Sequence, residues 1–280
     1  MNQVQAKSGE STLRDFTLTK YESLLQEIKK TNYSTCTVHE FLKKEPENCI
    51  ILRHDVDRAV NRNLAMAKLE HSYRIKSTYY FRHIAETFKP GIICQMAKMG
   101  HEIGFHYEVM DKANGGDMEK AIEIFGEELE DLREVTENVT EINTVCMHGN
   151  PFKPWSNRDL WKKYDFRDFG LIGEPYLSID YNKVFYLTDT GRTWADLKIR
   201  VKDTIDRPGA NEKSDLRSIS STDDVIHLIQ TEKISQICLL VHPNRWCENL
   251  AGWTKELLFQ NVKNVGKAGI VWYRNIQKKK

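Results

Sequence analysis

Long hydrophobic runs are missing from this chain of 280 residues. No stretch reaches the ~18 apolar residues of a membrane helix. The polar segment from Met1 to Arg14 has no apolar core of signal-peptide length. The expectation is a cytoplasmic protein without membrane insertion. A one-sided charge is missing too. Lys+Arg 41 against Asp+Glu 40 leaves a net charge of +1, without the concentrated basic excess that nucleic-acid binding requires. The closing Lys278-Lys279-Lys280 reads as a solvated tail. The six cysteines contain no Cys-x-x-Cys pair. Cys49, Cys94, Cys146 and Cys238 stand in apolar surroundings and read as buried thiols rather than as disulfides or a zinc site. There is no internal repeat and no low-complexity block.

What is present is an alternation of strand and helix signals. Residues 1–15 read as disordered. Helical spacing of Lys20, Tyr21, Leu24, Leu25 and Ile28 predicts a helix over 19–30, and a short second one is expected at 38–44. Strands are then expected at 48–54, 76–82, 101–106 and 142–147. Helices are expected between and after them, at about 60–74, 90–99 and 117–136, with another opened by Ser156 and Asp159. Strands at about 168–173, 176–180 and 184–189 follow, then a polar loop over 206–221 and a helix from Thr222 to about 231. A strand over 235–241, a helix over about 250–265 and a short strand at 269–273 close the pattern. This alternation implies an α/β fold with a parallel sheet. A closed or nearly closed barrel fits better than a doubly wound sheet. No Gly-rich phosphate loop follows the first strand, and chemically capable residues stand at the C-terminal ends of several strands, where barrel enzymes build their sites. The division expected is an N-terminal helical extension, 1–47, and a barrel domain, 48–276.

Four strand ends carry chemistry. In Arg53-His54-Asp55-Val56-Asp57, side-chain alternation points Asp55 and Asp57 the same way. Two such carboxylates repel unless a cation holds them: a divalent metal, or a helix cap with an ion pair to Arg53 or Arg58. In Gly100-His101-Glu102-Ile103-Gly104-Phe105-His106-Tyr107-Glu108, alternation sets Glu102, His106 and Glu108 on one side and His101 on the other. His106 is read as a ligand and His101 as a structural histidine. Cys146-Met147-His148-Gly149-Asn150-Pro151 places a histidine on a loop that leaves an apolar strand. Leu239-Leu240-Val241-His242-Pro243 ends a fully apolar strand in one histidine. Asp189-Thr190-Gly191-Arg192-Thr193-Trp194 is a fifth such end. Four ends on one barrel face make a site more expected than coincidence.

These clusters resemble the polysaccharide deacetylase family, the NodB homology domain or carbohydrate esterase family 4, over roughly residues 48–245. The fold implied is that family's distorted (β/α) barrel. Asp55-Val56-Asp57 looks like an Asp-x-Asp form of its first motif, which implies Asp55 as general base and Asp57 as metal ligand. Ser77-Thr78-Tyr79-Tyr80-Phe81 looks like the strand that follows it. The Gly100–His106 segment closely matches the second motif and implies His106 as a metal ligand. Val241-His242 matches the last motif and implies His242 as general acid. The family's second metal histidine falls at Met110 here, a thioether that such a cation would not choose. The third ligand is therefore expected from His148, which also replaces the motif-three arginine, or from Glu108. Met-His-Gly-Asn-Pro and Asp-Thr-Gly-Arg look like an atypical, WbmS-like branch.

The resemblance implies a hydrolase that removes an N-acyl group from an amino sugar with the help of a divalent metal, Zn²⁺ being expected. Asp189 is expected to orient His242, and Arg53, Arg192, Trp155, Trp194 and Trp246 to hold the sugar, although each tryptophan could equally be core. Without an export signal, the substrate expected is a nucleotide-linked or lipid-linked sugar. Two other readings stay open: an inactive sugar-binding relative, and a metal-dependent hydrolase of a non-sugar C–N bond.

Overall fold

The computed structural model describes residues 14–194 and 219–277, with side chains to 269. The readings made for residues 1–13, 206–218 and the terminal lysines fall outside the described residues. Seven strands, all parallel, form one sheet in the order β5-β4-β3-β2-β7-β6, with β1 also paired to β2. They are β1 (Ser34–Cys36), β2 (Cys49–Val56), β3 (Thr78–Phe81), β4 (Glu102–Tyr107), β5 (Val145–Met147), β6 (Phe185–Thr188) and β7 (Gln236–Val241). Central β2 is buried at all eight positions, which is why it reads as a continuous run rather than an alternating one. Its first half pairs with β1 and its second half with β3 along the same edge.

The sheet is curled. Arg53 on β2 reaches Cys146 on β5 with Nη2 2.7 Å from Sγ, although β3 and β4 lie between them in the sheet. The gap between β5 and β6 is occupied by residues 171–178, held to β5 through a Thr144–Gly173 bridge and to β6 through Tyr176 and Tyr186, whose hydroxyls are 3.5 Å apart. The result is an incomplete parallel barrel whose interior holds Arg53 among the rings of Tyr80 and Tyr176.

The helices cover the outside for local reasons. In α1 (Leu18–Lys30), Thr17 caps the amide of Lys20, and Tyr21, Leu24, Leu25 and Ile28 form the buried face. Each such side chain contributes about 1.5–3 kcal/mol when fully buried. α2 (Val38–Lys44) opens with a Thr37–Glu40 capping box, which satisfies two otherwise orphaned amides. α3 (Val60–Ser72) and α4 (Pro90–Lys98) connect β2 to β3 and β3 to β4; Pro90 opens α4. A single turn, α5 (Val109–Lys112), precedes α6 (Met118–Thr136), whose Ala121, Phe125, Leu129 and Leu132 are buried. α7 (Pro175–Ser178), α8 (Thr222–Gln230) and α9 (Leu250–Gln277) complete the set.

Three expectations need correction. Residues 168–173 and 176–180 are not strands: Phe166–Phe169 is a 3-10 turn and α7 is a short helix, so this stretch closes the barrel gap without joining the sheet as strands. The β-prone residues 269–273 continue α9 rather than forming a strand, and the segment expected to stop near 265 runs on to Gln277. The cap of α8 is Ser221, not Thr222. Across the expected division at 47/48, β1 pairs with β2 and α1 packs into the same core as β2 and β7.

Candidate active site

A cavity of about 250 Å³ opens at the C-terminal ends of the strands. It is lined by Asp55 and Asp57 from β2 and its exit, His106 from β4, His148 after β5 and His242 after β7. Parallel strands end on the same side of a sheet, so residues as distant in sequence as Asp55 and His242 share one opening.

His106 is fixed first. Its Nδ1 donates to the carbonyl of Cys146 at 3.0 Å, which turns Nε2 toward the carboxylates. Nε2 is 3.5 Å from Asp57 Oδ1 and 3.8 Å from Asp55 Oδ2. Burial alone would push the His106 imidazole down; the Asp55 and Asp57 carboxylates overcome it and hold it up. Burial would likewise raise Asp57, yet the contact with His106 and the field of His242 and His148 keep it well below the usual carboxylate range. His148 approaches from the other side with Nε2 3.8 Å from Asp57 Oδ1. Its Nδ1 lies 3.3 Å from Glu108 Oε2, and that oxygen also accepts from Arg82 Nη2 at 2.6 Å. Strand β4 ends at Tyr107, so Glu108 is the residue preceding α5 rather than a strand position, and its carboxylate stands behind His148.

Asp55 is held differently. Arg53 grips it with two donors, Nε to Oδ1 at 3.2 Å and Nη2 to Oδ2 at 3.0 Å. Burial raises its carboxyl; Arg53, His106 and His242 outweigh that and lower it. Across the cavity, His242 Nδ1 donates to Asp189 Oδ1 at 2.6 Å, which turns Nε2 outward. Asp189 is fully buried and accepts also from Arg245 at 2.8 Å, Trp246 Nε1 at 2.8 Å and the His242 amide at 3.0 Å. The 3.0 Å approach of Arg245 to His242 Nδ1 sets two donors side by side, so both protons go to the carboxylate.

The donor set of Asp57, His106 and His148 suits a divalent cation. Ligands about 2.0–2.1 Å from a tetrahedral zinc lie about 3.3 Å from one another, close to the two separations measured from Asp57. The described clusters whose ligand-type atoms all lie within 4.8 Å of one another are different sets: Asp55, His106 and Cys146, and Glu108, Asp111 and His148. In the first, Arg53 already donates to both Cys146 and Asp55, and a buried guanidinium repels a cation. In the second, Asp111 accepts from Trp155 and Asn150 while Glu108 is taken by Arg82. Asp57, by contrast, has only His106 and His148 as ion-pair partners among the described residues.

Several expected site residues are not at the cavity wall. Arg53 lies beneath it, fully buried. Trp194 is core, with its indole N–H on Thr222 Oγ1 at 3.0 Å. Trp246 is buried as a donor to Asp189. Arg192 lies over the Trp253 ring at 4.5 Å, and Trp155 donates to Asp111 at 2.7 Å. None of the five lines the opening. His101 sits outside the barrel with Nε2 3.0 Å from the Ala67 carbonyl, and Met110 is buried. Missed by sequence reasoning were Arg82, which follows β3 directly and so lay within reach of the strand-end rule, and Gln260, Lys263 and Lys267 of α9, for which spacing along the chain carried no signal.

No family model and no curated protein matches the chain. Among solved structures it is similar to the Streptococcus pyogenes deacetylase PplD in complex with acetate, at a TM-score of 0.40 and 11% identity over 57% of this chain and 75% of that one. It is also similar to a family 4 carbohydrate esterase from Bacillus anthracis (TM-score 0.37, 13% identity, 95% and 90% coverage). A third is PdaA from Bacillus subtilis, also a family 4 carbohydrate esterase (0.34, 13%, 87% and 84%). At these scores the reading of the site rests on its own geometry. Among the described residues no helix is long and apolar enough to cross a membrane.

Proposed function

We propose that the chain is a metal-dependent deacetylase that hydrolyses the N-acyl group of an amino sugar, an atypical relative of the polysaccharide deacetylases in the WbmS-like manner. The observation that carries this reading is one cavity in which Asp57, His106 and His148 converge beside a buried carboxylate, Asp55, and face a histidine oriented by Asp189. All of them lie within residues 48–276, which α1 and β1 buttress.

Asp57, His106 and His148 would hold the metal, and Glu108 would brace His148 from behind. Carboxylate-backed histidines are the usual way of fixing the orientation of such a ligand. When bound, a divalent cation such as Zn²⁺ polarises the acyl carbonyl and makes water more acidic. Asp55, kept ionised by Arg53, takes the proton of the attacking water as the new C–O bond forms. With Nδ1 anchored on Asp189, His242 would deliver a proton through Nε2 to the nitrogen as the C–N bond breaks. The products are a carboxylate and a free amine.

Elemental analysis of protein purified without chelator tests this, paired with acetate release from N-acetyl sugars. Near-stoichiometric metal lost in Asp57→Ala, His106→Ala and His148→Ala supports the ligand set. Metal retained in His148→Ala and lost in Glu108→Ala moves the third position to Glu108. Wild type that holds no metal even after incubation with zinc overturns the hydrolase and favours a sugar-binding relative.

A further inference from the structure

The cavity wall carries more positive charge than hydrolysis of a neutral sugar would use. Five cations line it: Arg58, Arg82, Arg245, Lys263 and Lys267. Each of the three arginines has a carboxylate partner. Arg58 donates to Glu256 at 2.6 Å, Arg82 to Glu108 at 2.6 Å and Arg245 to Asp189 at 2.8 Å. Among the described residues no carboxylate pairs with Lys263. Its Nζ and the guanidinium of Arg58 both stand over the Phe259 ring, at 4.6 and 4.4 Å from the centroid. Burial, then the fields of Arg58 and Arg245, push the Lys263 ammonium down, against Asp57 and Glu256. Lys267 lies one turn further along the same helix, and like charges at this spacing destabilise a helix. Asp55 and Asp57 line the same cavity, but Arg53 grips the first and His106 and His148 flank the second, so the cations on the α9 side suit a further anion.

The wall is also poor in the flat rings that grip neutral glycans. Trp194 and Trp246 are buried in the core. Phe152, 65% exposed, is the single phenyl or indole ring among the lining residues.

We propose that the substrate of this cavity is a phosphorylated amino sugar, a phosphate or diphosphate ester seated on Lys263, Lys267 and Arg58 of the α9 side. Lysines supply point charges for phosphate and the arginine a planar fork. The sugar part of this statement rests on the deacetylase reading; the anion part stands on the cavity alone. A nucleoside diphosphate and a prenyl diphosphate offer the same group.

The test is calorimetric binding to the full chain with chelator present, which removes any phosphate–metal contact. The probes are N-acetylglucosamine, its 1-phosphate, uridine diphosphate N-acetylglucosamine and a short-chain prenyl diphosphate N-acetylglucosamine. Wild type is expected to bind the 1-phosphate about tenfold or more tighter than the neutral sugar. That preference should collapse in Lys263→Gln/Lys267→Gln and persist in His242→Ala, with unchanged thermal midpoints for the lysine variant. A further gain with one of the two diphosphates identifies the carrier. Equal binding of neutral and phosphorylated sugar, or a preference that survives the double lysine substitution, overturns the proposal. Failure of the deacetylase reading looks different: no metal and no acetate release, with the phosphate preference intact.

Discussion

Asp189 lies outside the cavity lining, yet four donors converge on its carboxylate. Burial would raise its pKa; Arg245 and His242 outweigh that and lower it, so it stays ionised and holds the His242 ring. Replacing His242 with Ala is expected to cut acetate release by about 10²–10⁴-fold, the usual worth of a positioned proton donor, while metal content stays at the wild-type level. Asp189→Asn is expected to slow the same step and also to leave Arg245 buried without a counter-charge, a loss of about 3–5 kcal/mol. The two residues act through one ring, so the double variant should turn over no more slowly than His242→Ala alone. Fully multiplicative losses would show that Asp189 acts elsewhere. Arg53 is a second residue-scale case. With Arg53→Met, Asp55 loses the largest of the charges that offset its burial, and its carboxyl rises toward the ordinary range. The acid limb of the pH–rate profile should then move to higher pH, and urea unfolding should show a loss of about 3–5 kcal/mol. An unmoved limb would exclude Asp55 as the group that titrates there.

At the scale of elements, strand β4 depends on a close approach. A Cβ at Gly104 would fall 2.4 Å from the Tyr80 ring and 2.8 Å from the Thr144 carbonyl oxygen. Gly104→Ala therefore forces β3 and β5 away from β4. A loss of about 1–3 kcal/mol is expected, with weaker metal retention because His106 sits two residues further along the same strand. Wild-type metal content together with wild-type stability would mean that the sheet absorbs the shift. Six of the seven described strands were legible in the sequence, and strand ends predict which residues share a face; β1, Ser34-Thr35-Cys36, carries no apolar run and was not read. The gap-closing stretch 171–178 was not, because its apolar residues satisfy a strand pattern while Pro175 and the Glu174 cap turn it into a helical turn. Nor was the placement of α9. Amphipathic spacing says that a helix docks, not where, so Lys263 and Lys267 gave no sign of facing the cavity. Arg53 and the tryptophans were misplaced for a related reason. Composition cannot tell a ring or guanidinium that lines an opening from one that fills the barrel beneath it.

For the whole molecule, the outside of the barrel is tied together by one carboxylate. Glu70 of α3 accepts from His54 of β2 at 2.8 Å, Tyr79 of β3 at 2.9 Å, Tyr21 of α1 at 2.5 Å and Ser77 at 2.5 Å. Burial would raise its pKa, but His54, His101 and these donors lower it to about 2 from an ordinary 4.5. A carboxyl whose folded value lies below its unfolded one stabilises the fold above the unfolded pKa and loses that contribution as pH falls through the folded one. Between pH 4.5 and 2 the protein should therefore lose about 3 kcal/mol through this group alone. Neutral Glu70→Gln should be less stable than wild type at pH 7 and should lose that part of the acid slope, so that the two stability curves converge toward pH 2. His54 and Asp55 are neighbours on β2, so this knot also sets where the cavity end of the strand lies. Urea midpoints measured across pH 2–7 decide it: parallel curves would mean that Glu70 is no more strongly held in the folded protein than in the unfolded chain.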